Sequence, residues 1–125
     1  MTNKQIPGFI FALGLAGCAT AAPPKLPPMT PIANAAAISG KWQGMLLNEG
    51  SSYPTVEVIK PDGTWNGETN GFRSHGTYTI AGGVAHWTSV TTGATGTWVL
   101  RTDNGTEKLY GEGSNGVTFT DQRAP

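Results

Sequence analysis

The sequence predicts an all-β fold: a single small antiparallel up-and-down barrel of about eight strands, placed after a signal peptide and a Pro/Ala-rich tether. Three observations carry this. Thr, Val, Trp and Tyr are frequent after residue 50, while helix formers are sparse. Turn signals recur at short intervals: Pro61-Asp62-Gly63, Asn70-Gly71, Gly82-Gly83, Gly93, Asn104-Gly105 and Asn115-Gly116. Between them, apolar and polar residues alternate, as they do along strands with one covered face.

The chain opens with Lys4 and an apolar run from Ile6 to Leu15, broken only by Pro7, Gly8 and Gly14. A basic start followed by a short apolar run is the pattern of an export signal, here residues 1–17. The run is too short for a membrane-spanning helix, which needs about 20 apolar residues. It ends in Leu15-Ala16-Gly17-Cys18, and Cys18 is the only cysteine. The tetrad resembles the lipobox of bacterial lipoproteins. That resemblance implies diacylglyceryl attachment at Cys18, cleavage just before it, and a membrane partner held through the lipid. Two or three acyl chains on one residue suffice for stable anchoring. Ala19 stands where an Asp retains enteric-type lipoproteins in the inner membrane. The resemblance therefore implies a bacterial cell-envelope protein on the outer membrane, facing the periplasm. An ordinary secretory signal, cut near Ala16 or Ala22, is the alternative.

Residues 18–37 hold prolines at 23, 24, 27, 28 and 31 among Ala and Thr. Such a stretch buries little and favours an extended polyproline conformation of about 3 Å per residue. It reads as a disordered tether that lifts a domain off the bilayer.

The barrel domain is assigned to residues 38–125, without a cysteine to form a disulfide. Strands are expected at about 41–47, 54–60, 64–69, 75–81, 84–90, 95–101, 107–112 and 117–122. Short loops make consecutive strands antiparallel neighbours, hence a meander. The inward phase is read as Trp42, Leu46, Val56, Val58, Trp65, Tyr78, Ile80, Trp98, Leu100, Leu109, Val117 and Phe119. The outward phase holds Lys41, Gln43, Glu57, Thr77, Thr79, Lys108, Thr118 and Thr120. The fifth strand is undecided, because Val84, His86 and Val90 share one phase and Trp87 lies in the other. A closed sheet has no exposed edges to aggregate.

A glycine precedes an aromatic by two residues at Gly40/Trp42, Gly63/Trp65, Gly76/Tyr78 and Gly96/Trp98. Glycine there permits bending, and an aromatic can cover it. The opening Ser39-Gly40-Lys41-Trp42 with its meander resembles the calycins, the group of lipocalins and avidins. The resemblance implies a barrel whose first strand opens with Gly-x-Trp, and an arginine near the last strand packed on the indole. Arg123 is the residue placed for that role. The whole chain also resembles small bacterial lipoproteins that carry a lone meander after the anchor.

Chemistry is thinly signalled. Six cations and eight carboxylates follow Ile38 with no basic stripe, which argues against nucleic acid. His75 and His86 are the only histidines and carry no metal-ligand spacing, so no metal site is expected. There is no Gly-x-Ser-x-Gly elbow and no phosphate loop, so neither catalytic residues nor a cofactor are assigned. Glu57, Glu68, Glu112 and Asp121 lie on strands, mostly in phases that point outward. Trp42, Trp65, Tyr78 and Trp98 are the candidate interior residues, filling the core or lining a small apolar pocket. Two functions follow as expectations. One is a non-catalytic, lipid-anchored envelope module whose outer face or loops, with 48–53 and 71–74 as the candidate contact loops, meet a protein or cell-wall partner. The other is a calycin-like carrier of a small hydrophobic ligand inside the barrel.

Overall fold

The structure, a computed structural model, describes residues 26–125. The expected signal peptide, the lipobox-like tetrad with Cys18 and the first part of the expected tether lie outside the described residues. Nine strands are described: β1 (Met29–Thr30), β2 (Gly40–Asn48), β3 (Ser51–Ile59), β4 (Thr64–Thr69), β5 (Phe72–Ala81), β6 (Val84–Ser89), β7 (Thr95–Asp103), β8 (Thr106–Gly113) and β9 (Thr118–Arg123). A single 3-10 turn, Ala35–Ala37, is the helical element among the described residues.

Strands β2 to β9 pair antiparallel in sequence order, and β9 returns to pair with β2. The result is a closed eight-stranded up-and-down barrel, with β1 as an added strand. Closure gives every barrel strand two neighbours.

Four of the seven hairpins turn on two residues with positive φ: Glu49-Gly50, Asn70-Gly71, Gly82-Gly83 and Asn104-Gly105. Paired left-handed residues match the twist of the flanking strands and fix the register tightly. The Glu49-Gly50 turn pairs Asn48 with Ser51 and so places Trp42 opposite Glu57. Directly opposed residues share a face. The inward residues of β3 are therefore Thr55, Glu57 and Ile59, which are buried, while Val56 and Val58 are only half-buried. This corrects the expected phase of β3, where Val56 and Val58 were placed inside and Glu57 outside. The same tight turns remove the two irregular loops expected at 48–53 and 71–74, which are mostly strand. On β6, Ala85, Trp87 and Ser89 face inward and His86 outward, which settles the undecided phase.

The two ends of the barrel differ. One carries the turns at Lys60–Gly63, Gly82-Gly83 and Asn104-Gly105, and it is closed by the segment before β2. In that segment β1 pairs with the part of β7 that outlasts β6, setting Met29 opposite Arg101 and Thr30 opposite Leu100. The backbone N–H of Ile32 then donates to Gly83 O at 2.9 Å. Ile32 and Ile38 are buried with Trp42, Ile59, Leu100 and Leu109. The segment from Pro27 to Ala37, expected as part of a free tether, is thus packed on the barrel, and the folded unit begins before Ile38.

Arg123 completes this end. Its guanidinium lies 4.4 Å from the centre of the Trp42 ring. It donates to Ser39 O at 2.9 Å and to Ala37 O at 2.7 Å, and it pairs with Glu107 at 3.0 Å. Gly40 makes the approach possible, because a Cβ there would stand 3.3 Å from the guanidinium. Gly40 also takes φ 126°, which side chains rarely adopt.

Candidate functional site

The other end of the barrel is open. Its turns are Glu49-Gly50, Asn70-Gly71, Val90–Ala94 and Ser114–Val117. Below them lies a cavity of about 450 Å³. Leu46, Trp65, Trp87, Trp98, Val117 and Phe119 form its apolar wall, and Tyr53, Thr55, Glu57, Ser89, Asn48 and Asn115 add polar groups. An apolar recess with a few convergent polar groups is the usual form of a small-molecule site.

The wall is built from aromatic contacts. Trp65 meets Trp87 and Trp98 edge-on, each at 6.0 Å between ring centres and at 77° and 79°. Trp87 also lies 6.4 Å from both Trp98 and Phe119. Such T-shaped pairs are favoured by the ring quadrupoles. Trp65 and Trp87 anchor their indole N–H groups on Thr77 O and Thr97 O, each at 3.2 Å. The room for Trp87 comes from Gly96 directly opposite, where a Cβ would fall 2.4 Å from the indole ring.

All four candidate interior residues are buried, and the structure divides them. Trp65 and Trp98 line the cavity. Trp42 packs at the closed end, donating its N–H to Ile38 O at 2.8 Å. Tyr78 packs on Trp98 at 5.6 Å and donates its hydroxyl to Lys60 O. The interior is thus filled at one end and hollow at the other. Trp87, left undecided by its strand's mixed pattern, belongs to the cavity wall. His75 and His86 are exposed and apart in the register, opposite Asn66 and Thr79 respectively. Among the described residues no group of three or more His, Cys, Asp or Glu could hold a metal.

Two acidic residues stand inside. Glu57 on β3 lines the cavity, and Asp121 on β9 lies beside it. They meet across β2, where Gly44 pairs with both Thr55 and Asp121. A Cβ on Gly44 would fall 2.5 Å from Asp121 Oδ1. The absence of a side chain at Gly44 therefore leaves space for the pair. The expectation that strand carboxylates mostly face outward is corrected for both residues. For Asp121 the signal was present in the sequence, because it continues the inward phase of Val117 and Phe119. For Glu57 it lay in the Glu49-Gly50 turn.

Burial, then the charge of Asp121 beside it, pushes the Glu57 carboxyl well above its usual range and favours its protonated form. Burial raises Asp121 to about 6, an effect the neighbouring Glu57 carboxyl partly offsets. Glu57 Oε1, both Asp121 carboxyl oxygens and Trp98 Nε1 are buried without a fixed hydrogen-bond donor or acceptor. Unpaired buried polar groups are costly and uncommon in folded proteins.

The site is thus a one-ended cup in a closed antiparallel barrel, with an aromatic wall and a carboxyl pair at its side. Comparison of the chain with protein-family models, with curated proteins and with solved structures finds no match.

Proposed function

We propose that the protein is a non-catalytic carrier that binds a small, largely apolar ligand in the open end of its barrel. The observation that carries this reading is the cavity of about 450 Å³ walled by Trp65, Trp87, Trp98 and Phe119. The closed end supports it, because packing by Ile32 and Ile38 holds the barrel rigid without using the cup. The Gly40-x-Trp42 opening with Arg123 on the indole supports a calycin-type relationship. The competing reading, an envelope module that meets a protein or cell-wall partner, rests on an anchored domain without a catalytic constellation; its candidate contact loops, 48–53 and 71–74, are mostly strand and two-residue turns.

In this reading the Leu15-Ala16-Gly17-Cys18 run supports attachment to the outer membrane through acyl chains on Cys18. The carrier then works at the periplasmic face, where an apolar ligand leaving the bilayer needs shelter from water.

The test uses the full chain carrying Cys18→Ser, which keeps it unlipidated. The uncharged probe N-phenyl-1-naphthylamine is titrated while tryptophan emission is followed. Saturable quenching is expected, with probe affinity reduced at least tenfold by Trp98→Ala in a variant that keeps its β-sheet circular dichroism. Absence of saturable binding overturns the reading.

A further inference from the structure

The apolar cup leaves Glu57 and Asp121 unexplained. Glu57 is 7 % exposed and Asp121 1 % exposed, and three of their four carboxyl oxygens have no donor. The strands packed against the pair offer no compensating group. On the inward side β2 offers Trp42 and Gly44, β4 offers Trp65 and Gly67, and β8 offers Leu109 and Gly111. None is charged or titratable. Arg123 shares the phase of Asp121 on β9, but its nitrogens are engaged by Ala37, Ser39 and Glu107 at the closed end. None of these positions supplies a cation or a hydrogen bond to either acid, and the indole N–H of Trp98 in the cavity wall is itself unpaired.

The indole rings face the same space. Trp65 adjoins Glu57 over Gly67, where a Cβ would stand 3.3 Å from Glu57 Cγ and 3.6 Å from the Trp65 ring. Trp87 and Trp98 complete the wall at 6.0 Å from Trp65. Indole faces attract cations, most strongly where water is excluded. A protonated nitrogen brings donors to carboxyl oxygens that lack them, and a charge opposite to that of the ionised member of the pair in a medium of low dielectric constant.

We infer that the ligand of the cup is an amphipathic ammonium, with its apolar body against Trp65, Trp87 and Trp98 and its charged nitrogen on Glu57, backed by Asp121. The inference rests on the proposal that the cup binds a ligand, and it names the ligand's chemical class. A carboxylate of the same length is repelled by the pair. An alcohol supplies one donor and no charge.

The test displaces N-phenyl-1-naphthylamine from the full Cys18→Ser chain with octylamine, 1-octanol and octanoate at pH 7. Octylamine is expected to compete at least tenfold better than octanol, and octanoate worse than both. Asp121→Asn keeps the shape of the side chain and removes the negative charge of the pair. It should cut octylamine affinity about tenfold and change octanol affinity less than twofold. A second measurement needs no variant: between pH 7 and pH 5, octylamine affinity falls as Asp121 takes up a proton, while octanol affinity stays level. Equal competition by amine and alcohol, or a level pH profile for the amine, overturns the ammonium assignment alone. Failure of the uncharged probe to bind overturns the cup reading and this inference with it.

Discussion

The guanidinium of Arg123 stacks on the indole of Trp42 at 4.4 Å while donating to Ser39 O and Ala37 O. One side chain therefore ties β9 to β2 and to the 3-10 turn ahead of it. These three elements meet where the sheet closes on itself.

Arg123→Ala is expected to lower stability by about 1–2 kcal/mol, because it removes a cation–π contact and two charge-assisted hydrogen bonds. Arg123→Lys should recover only part of this, since an ammonium cannot stack and bridge two carbonyls as a planar fork does. Urea denaturation followed by tryptophan emission measures both.

Gly44→Ala is expected to cost more than Gly50→Ala. A Cβ at Gly44 would fall 1.9 Å from Thr120 O, so the closing strand pair must separate. Overpacking of this kind costs about 1–3 kcal/mol or more. Gly50 has open space around it and suffers only from its φ of 81°, at about 1 kcal/mol. The difference in urea midpoint between the two variants checks the prediction.

The carboxyl pair makes stability depend on pH. Asp121 moves from an ordinary value of 3.8 to about 6, and Glu57 is also raised. A raised acid binds its proton more tightly folded than unfolded. Its contribution is complete below about pH 4 and is lost as pH climbs through the folded value. The Asp121 contribution should therefore fall between pH 4 and pH 6 by on the order of 1 kcal/mol per unit, and the raised Glu57 adds a fall in the same direction. Asp121→Asn should flatten this slope, which thermal melts at half-unit pH steps will show.

The packed segment ahead of β2 makes a separate prediction. Ile38 is fully buried and Ile32 nearly so. Ile38→Ala should cost about 2–4 kcal/mol, in the range for large-to-small core substitutions. Hydrogen exchange should then show early opening at the closed end and little change around the cup.

Cys18→Ser tests the anchor independently of the fold. The protein is expected to leave the membrane fraction, and its signal should remain uncleaved. Membrane retention with unchanged mature size would count against lipid attachment.

Much of the barrel was legible along the chain. Asn-Gly and Gly-Gly pairs marked three of the four two-residue hairpins, because few other residues tolerate consecutive positive φ angles. The expected strands agree with the observed ones to within a few residues. The misreading of β3 has a clear physical origin. In Val56-Glu57-Val58, hydrophobicity favours one phase and pairing imposes the other. Pairing wins because a two-residue turn at Glu49-Gly50 locks Trp42 opposite Glu57, and slipping by one residue would turn every side chain of β3 over. Glu49 is a left-handed residue that its type does not announce. Trp87 was obscured in the same way, since its place depends on the room left by Gly96 across the strand pair.

Local residues thus determined the strands, the turns and the meander order, because alternation and backbone conformation are properties of short segments. Closure of the sheet decided the remainder: the stacking of Arg123 on Trp42, the packing of the Pro27–Ala37 segment over one end, and the hollow at the other. Each of these joins side chains far apart in the chain, and only three-dimensional packing fixes which of them meet and how much space they leave.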